Sequence, residues 1–199
     1  MWLFNRKSRR KDEFELEETL DSETVEVDSD SDEDCYLQIS EIITDHNQTV
    51  KELLENYFED PRLLLEEFQG DCDEWNEDSD ILHEELLDNY WLILLLTLEK
   101  ESFAKRIYWR DNIEAVMKNL KQLKQLKEIS LDERLSHCNH LSLVEFFECI
   151  SKELQKMGII IGTFELDDEN VLIFTIDDRR IERFNKLINT IEKSWKQIS

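Results

Sequence analysis

Four residues of metal-binding or nucleophilic type fall within thirteen positions: His137, Cys138, His140 and Cys149. Two imidazoles and two thiols are acceptable zinc ligands, and a cysteine with a histidine is the minimum for nucleophilic catalysis. Against this, the chain has no Cys-x-x-Cys pair. Both histidines fall in a linker between a short helix at 131–136 and a capped helix opening after Ser142. Cys149 lies near the edge of that second helix's apolar stripe, where a small buried thiol is ordinary. The sequence therefore assigns no metal, no cofactor and no catalytic residue. A zinc-binding regulator or enzyme using His137, Cys138, His140 and Cys149 stands as an alternative.

A second stretch, "DCDEWNEDSD" at 71–80, gathers carboxylates as a calcium loop does. Asp71 and Asp73 fit the first two ligand positions. Trp75 then stands at a ligand position, Asn76 where the sharp turn needs glycine, and Leu82 where a bidentate glutamate is required, so the match fails. What remains is a tryptophan ringed by negative charge, the composition of an interface anchor. Asp71, Asp73, Glu74, Trp75, Glu77, Asp78 and Asp80 are the candidate partner-binding residues. Tyr90, Trp91, Tyr108 and Trp109 are further aromatics that such a patch would draw on. His46 lies on an apolar stripe and reads as a partly buried core residue. With three glycines in 199 residues, there is no phosphate-cradling loop, and no nucleophile elbow or metalloprotease pair occurs. The chain reads as non-catalytic.

Charge says more than motif. The formal net charge is −24, and its distribution is uneven. Residues 1–11 carry five bases; residues 12–34 carry 13 acids and no base; residues 35–99 carry 18 acids against Lys51 and Arg62; residues 100–199 carry 17 of each sign. Such a field repels nucleic acid and anionic membranes and attracts a basic protein. The four cysteines (Cys35, Cys72, Cys138, Cys149) show no framework spacing, which reads as reduced thiols in a cytoplasmic protein. The longest apolar run, Tyr90–Leu96, is too short to span a bilayer. The opening "MWLF" with its basic cluster buries too little for stable membrane insertion.

The elements that must position these residues follow from periodicity. Residues 1–36, basic and then acidic with few apolar positions, read as a disordered tail. Residues 37–199 read as one domain. Ile39, Ile42, Ile43, His46, Val50, Leu53, Leu54 and Tyr57 predict a single amphipathic helix ended by Asp60-Pro61. "RLLLEEF" predicts a short helix stopped by Gly70, and Asp80–Glu101 a deeply buried central helix. "SFAKRIYW" at 102–109 alternates as a strand, and Asp111 is placed to cap the helix after it. Ser142 and Glu145 form a capping box, and Gly158 closes the helix they open. "IIIGTFEL" and "VLIFTID" predict a hairpin. Asp178 would cap a last helix whose stripe continues through Trp195 and Ile198. The fold class is α+β: mostly helical, with a small antiparallel sheet made of a lone strand and a C-terminal hairpin, and helices on one of its faces.

Three stretches, "YFEDPRLLL" (57–65), "YWRDNIEAVMKNLKQL" (108–123) and "LVEFFECISKELQKMGIIIGTFELDDENVLIFTIDDRRIERFNKL" (143–187), resemble an uncharacterised bacterial family, domain of unknown function 6630. The similarity spans about residues 37–190. Arg110 departs from the lysine expected after Trp109, and the acidic tail is additional. The resemblance implies the fold and carries no activity. The reading is a cytoplasmic interaction protein binding a basic protein through an acidic surface, as an immunity protein or inhibitor does, with no direct nucleic-acid contact. An acidic nucleic-acid mimic occupying a DNA-binding protein is the other alternative.

Overall fold

The computed structural model describes residues 32–69, 89–108, 110–135, 138, 141–166 and 169–198. Four strands, β1 (Ala104–Tyr108), β2 (Ile159–Glu165), β3 (Asn170–Asp177) and β4 (Lys196–Gln197), form one antiparallel sheet in the order β1-β3-β2-β4. The predicted hairpin and lone strand are both present, and the lone strand docks on the far side of β3 with Ile107 opposite Val171.

Helices cover both faces of the sheet, where one covered face was expected. Strand β3 explains why. Its even positions Leu172, Phe174 and Ile176 enter one core, and its odd positions Val171 and Ile173 enter a second. A strand apolar at consecutive positions must be buried on both sides. The first core is filled by α1 (Asp32–Thr44), α2 (Gln48–Glu59), α3 (Arg62–Gln69), α4 (Tyr90–Lys100) and α8 (Ile181–Thr190). The second is filled by α5 (Ile113–Leu120), a 3-10 turn at Lys124–Leu126, α6 (Leu131–Leu135) and α7 (Leu143–Gln155).

Several boundaries differ from the periodic reading. The first helix begins at Asp32 rather than Leu37, and it already buries Cys35 and Tyr36. The stripe from Ile39 to Tyr57 is two helices, because Asp45 and His46 both take positive φ (56° and 57°) and Asn47 starts α2 by accepting from Val50 N–H at 3.2 Å. The described part of the central helix starts at Tyr90 with Asn89 as its cap. Residues 70–88, which include Gly70 and the start proposed at Asp80, lie outside the described residues. Asn112 rather than Asp111 caps α5, while Asp111 accepts from the Tyr108 backbone. Ahead of α8, Asp177 rather than Asp178 takes the capping role, accepting from Arg179 N–H in a 3-10 turn.

The C-terminus departs most. α8 ends at Thr190, Glu192 turns the chain at φ 54°, and Lys196–Gln197 pair with β2 as the sheet's fourth strand. Trp195 lies over Gly162, where a Cβ would sit 2.6 Å from Phe174 Cζ and 2.7 Å from Trp195 Cε3. Phe164, Phe174, Phe184 and Trp195 form a continuous aromatic group here, with Phe164 stacked on Phe174 at 4.2 Å. The periodicity of Trp195 and Ile198 thus reflects packing on the sheet rather than on a helix. The capping box is present as predicted: Ser142 Oγ accepts from Glu145 N–H and Glu145 Oε2 accepts from Ser142 N–H at 2.9 Å. Gly158, at φ 72°, ends α7.

Candidate functional site

The helical layer on the first face carries part of the chain's acidic excess. Residues 32–69 hold 11 acids against Lys51 and Arg62. Helix α2 buries Val50, Leu54, Tyr57 and Phe58. That burial turns the opposite face outward, where Gln48, Glu52, Glu55 and Glu59 recur at steps of four, three and four. Glu52 and Glu59 are exposed and Glu55 is half-buried. At 1.5 Å per residue this stripe runs roughly 10 Å from Glu52 to Glu59. α3 extends it with exposed Glu66 and with Leu63, an apolar side chain 41% exposed.

Both bases of this segment are already held. Lys51 Nζ donates to Glu41 Oε1 at 2.8 Å, and this bond holds the lysine pKa above its ordinary value. Arg62 makes a two-pronged contact with Asp60, Nε and Nη2 each 2.7 Å from a carboxylate oxygen, which raises its pKa in the same way. Among the described residues, the three α2 carboxylates form no salt bridge with a base. They form a net negative stripe, in which Glu52 accepts from Gln48 Nε2 at 3.0 Å and Glu55 lies close enough to Lys51 to favour its charged form.

A partly buried polar junction centred on Tyr57 ties α3 to α2 and α4. The Tyr57 hydroxyl donates to Glu67 Oε2 at 2.8 Å and accepts from Lys100 Nζ at 2.9 Å, and Lys100 also pairs with Glu67. Burial, with Glu101 nearby, pushes the Tyr57 phenol pKa up, so it remains a protonated donor. The three residues come from α2, α3 and α4 and tie these helices together. Sequence reading missed this junction, since nothing in the spacing of Tyr57, Glu67 and Lys100 marks them as partners.

The sequence-predicted partner-binding residues Asp71, Asp73, Glu74, Trp75, Glu77, Asp78 and Asp80 lie outside the described residues, as do Trp109, His137 and His140. Tyr90 and Trp91 are not part of an exposed patch. Tyr90 packs on Phe58 with ring centres 4.8 Å apart, and Trp91 on Phe164 at 4.8 Å, both against the first core. Tyr108 is half exposed, at 50%. His46 is not a core residue: its side chain is 55% exposed, 3.8 Å from Glu41. The left-handed turn that splits α1 from α2 carries it off the apolar stripe. Cys138 and Cys149, expected as reduced thiols, are joined in a disulfide with Cα atoms 6.6 Å apart. In that state neither sulfur is a thiolate ligand. Among the described residues no three His, Cys, Asp or Glu side chains converge as a metal site, and no helix is long and apolar enough to cross a membrane.

An antiparallel sheet covered by helices on both faces, one layer bearing a net negative stripe, defines an α+β domain whose most distinctive surface is electrostatic. The chain belongs to the family described as domain of unknown function (DUF6630), whose model matches residues 35–197. No curated protein and no solved structure matches it.

Proposed function

We propose that this protein is a non-catalytic, cytoplasmic binding protein that captures a basic protein partner through its acidic helical half. The observation carrying this reading is the α2–α3 face: Glu52, Glu55, Glu59 and Glu66 project from a rigid layer whose own bases are held by Glu41 and Asp60. The chain continues from α3 into residues 71–80, with six further acids around Trp75 and no base. Carboxylates on packed helices stand on backbone that needs no ordering when a partner arrives, and a one-sign surface raises the encounter rate with an oppositely charged one. Leu63 and Trp75 would supply the apolar contact that charge alone does not.

A tagged full-length chain tests the reading. Capture of a basic protein should be lost when Asp73→Lys is combined with Trp75→Ala, and it should weaken as salt is raised. Capture unaffected by either change would count against an acidic interface. If DNA competes for the captured partner, the occupied surface is a DNA-binding one and the nucleic-acid mimic replaces the simpler reading.

A further inference from the structure

Cys138 and Cys149 occupy unequal positions. Cys138 is fully buried in the second core, at the end of the segment that follows α6. Cys149 is half-buried on α7 and lines an open surface cavity of about 710 Å³ together with Leu141, Glu145, Lys152 and Lys156. Cys149 therefore lies on a surface that a reagent from solvent reaches, and Cys138 does not.

We propose that this pair is a reversible thiol–disulfide site, opened by dithiol reductants that attack Cys149 Sγ and closed by disulfides of the glutathione class. In opening, an incoming thiolate bonds to Cys149 Sγ as the Cys138–Cys149 bond breaks. The electron pair leaves on Cys138 Sγ, which takes up a proton. The reductant's second thiolate then attacks the reductant sulfur of the mixed disulfide, expelling Cys149 as a thiolate that is protonated in turn. Two electrons and two protons pass to the protein, and the reductant leaves as its own disulfide. A monothiol lacks the second step, so buried Cys138 returns to the mixed disulfide and restores the original bond. Dithiols therefore reduce the site far more readily than glutathione does. In a reducing compartment, where lasting disulfides are rare, such a pair acts as a sensor of oxidising conditions rather than as a permanent brace.

The structural consequence is local. The bond ties the segment after α6 to the second turn of α7 and closes a short loop around the capping box at Ser142. Leu131 and Leu135 of α6 are buried in the same core as Cys138. Opening the bond should lower the Tm by about 5–10 °C and raise hydrogen exchange over 131–141 before the sheet responds.

The test uses the full-length chain equilibrated with glutathione disulfide or with dithiothreitol, then denatured and titrated for thiols. Two thiols, those of Cys35 and Cys72, are expected after oxidation and four after reduction, with a cross-linked 138–149 peptide only in the first. Four thiols under excess glutathione disulfide, or cross-links through Cys35 or Cys72 instead, would overturn the proposal. In the reduced native parent, Cys149 should alkylate at least tenfold faster than Cys138; the reverse order would remove the basis for attack at Cys149. Cys149→Ser should abolish the oxidation-dependent shift in Tm, and persistence of that shift would also overturn the proposal.

Discussion

Gly162 is the position where a single methyl group should be felt most sharply. It lies at the centre of β2, with Phe174 opposite on β3 and Gln197 on β4. An added Cβ would meet Phe174 Cζ at 2.6 Å, Trp195 Cε3 at 2.7 Å and Trp195 Cζ3 at 2.8 Å. Phe174 is fully buried between Phe164 and Phe184 and has little room to retreat. Overpacking of this kind costs roughly 1–3 kcal/mol. Replacing a strand glycine with alanine returns about 0.5–1 kcal/mol of chain entropy. With two rings obstructing the methyl, the overpacking falls at about 2–3 kcal/mol, so Gly162→Ala should destabilise by about 1–2.5 kcal/mol, lowering the Tm by roughly 2–10 °C in a domain of this size. Urea unfolding followed by tryptophan fluorescence measures it, with an unchanged m-value expected. The contact geometry adds a second requirement. Trp195→Ala vacates space into which Phe174 can swing, so the alanine at 162 should cost about 1 kcal/mol less in that background. A Gly162→Ala protein as stable as the parent, or a cost indifferent to Trp195, would refute the placement of the C-terminal strand and its indole.

Two further perturbations probe the capping box and the polar junction. Ser142→Ala removes the Glu145 cap and should cost about 1 kcal/mol at neutral pH. The Ser142 backbone and hydroxyl hold the Glu145 carboxyl below its ordinary pKa, so the carboxylate's half of the box is complete above the unfolded value, about 4.3, and fades as pH falls through the carboxylate range. The gap in unfolding free energy between parent and variant should therefore narrow as pH falls toward 3 without closing, because the bond from Glu145 N–H to Ser142 Oγ does not titrate; a gap that widened on acidification would contradict the cap. Tyr57→Phe strips the hydroxyl shared by Glu67 and Lys100, and should cost about 1 kcal/mol with faster hydrogen exchange in α3; unaltered exchange there would remove the junction's role in fixing that helix.

Element type was legible wherever local chemistry alone decides it. Ser142 and Glu145 satisfy one another within a single turn, and Gly158 adopts a backbone conformation that other residues rarely take, so both ends of α7 were visible in the sequence. The hairpin and the β1 strand were visible from β-branched and aromatic runs. Most of what failed depended on distant partners. Consecutive apolar residues in "VLIFTID" already signalled burial on both faces, and the expectation of one covered face passed over that local mark. The turn at Asp45-His46 hid inside an unbroken helical period, because Asp and His, though enriched at positive φ, mark it far more weakly than glycine would. Trp195 and Ile198 continued the helical spacing of α8 by coincidence, and only the slot over Gly162 explains why the chain leaves the helix at Thr190 and joins the sheet. At the candidate site, the excess of acid was plain from counting, whereas the neutralisation of Lys51 by Glu41, across ten residues, required the folded chain.

The acidic-face account is tested most directly by cross-linking a captured partner to the full-length chain and to the variant carrying Glu52→Lys, Glu55→Lys and Glu59→Lys, with mass-spectrometric mapping of the linked residues. The account predicts links from basic partner residues to α2, α3 and residues 71–80, and a loss of capture of at least about tenfold in the variant, since three reversed contacts at ~0.5 kcal/mol each reach that factor. Links confined to the opposite face of the sheet, on α5 to α7, or capture of the same partner undiminished by charge reversal, would contradict it.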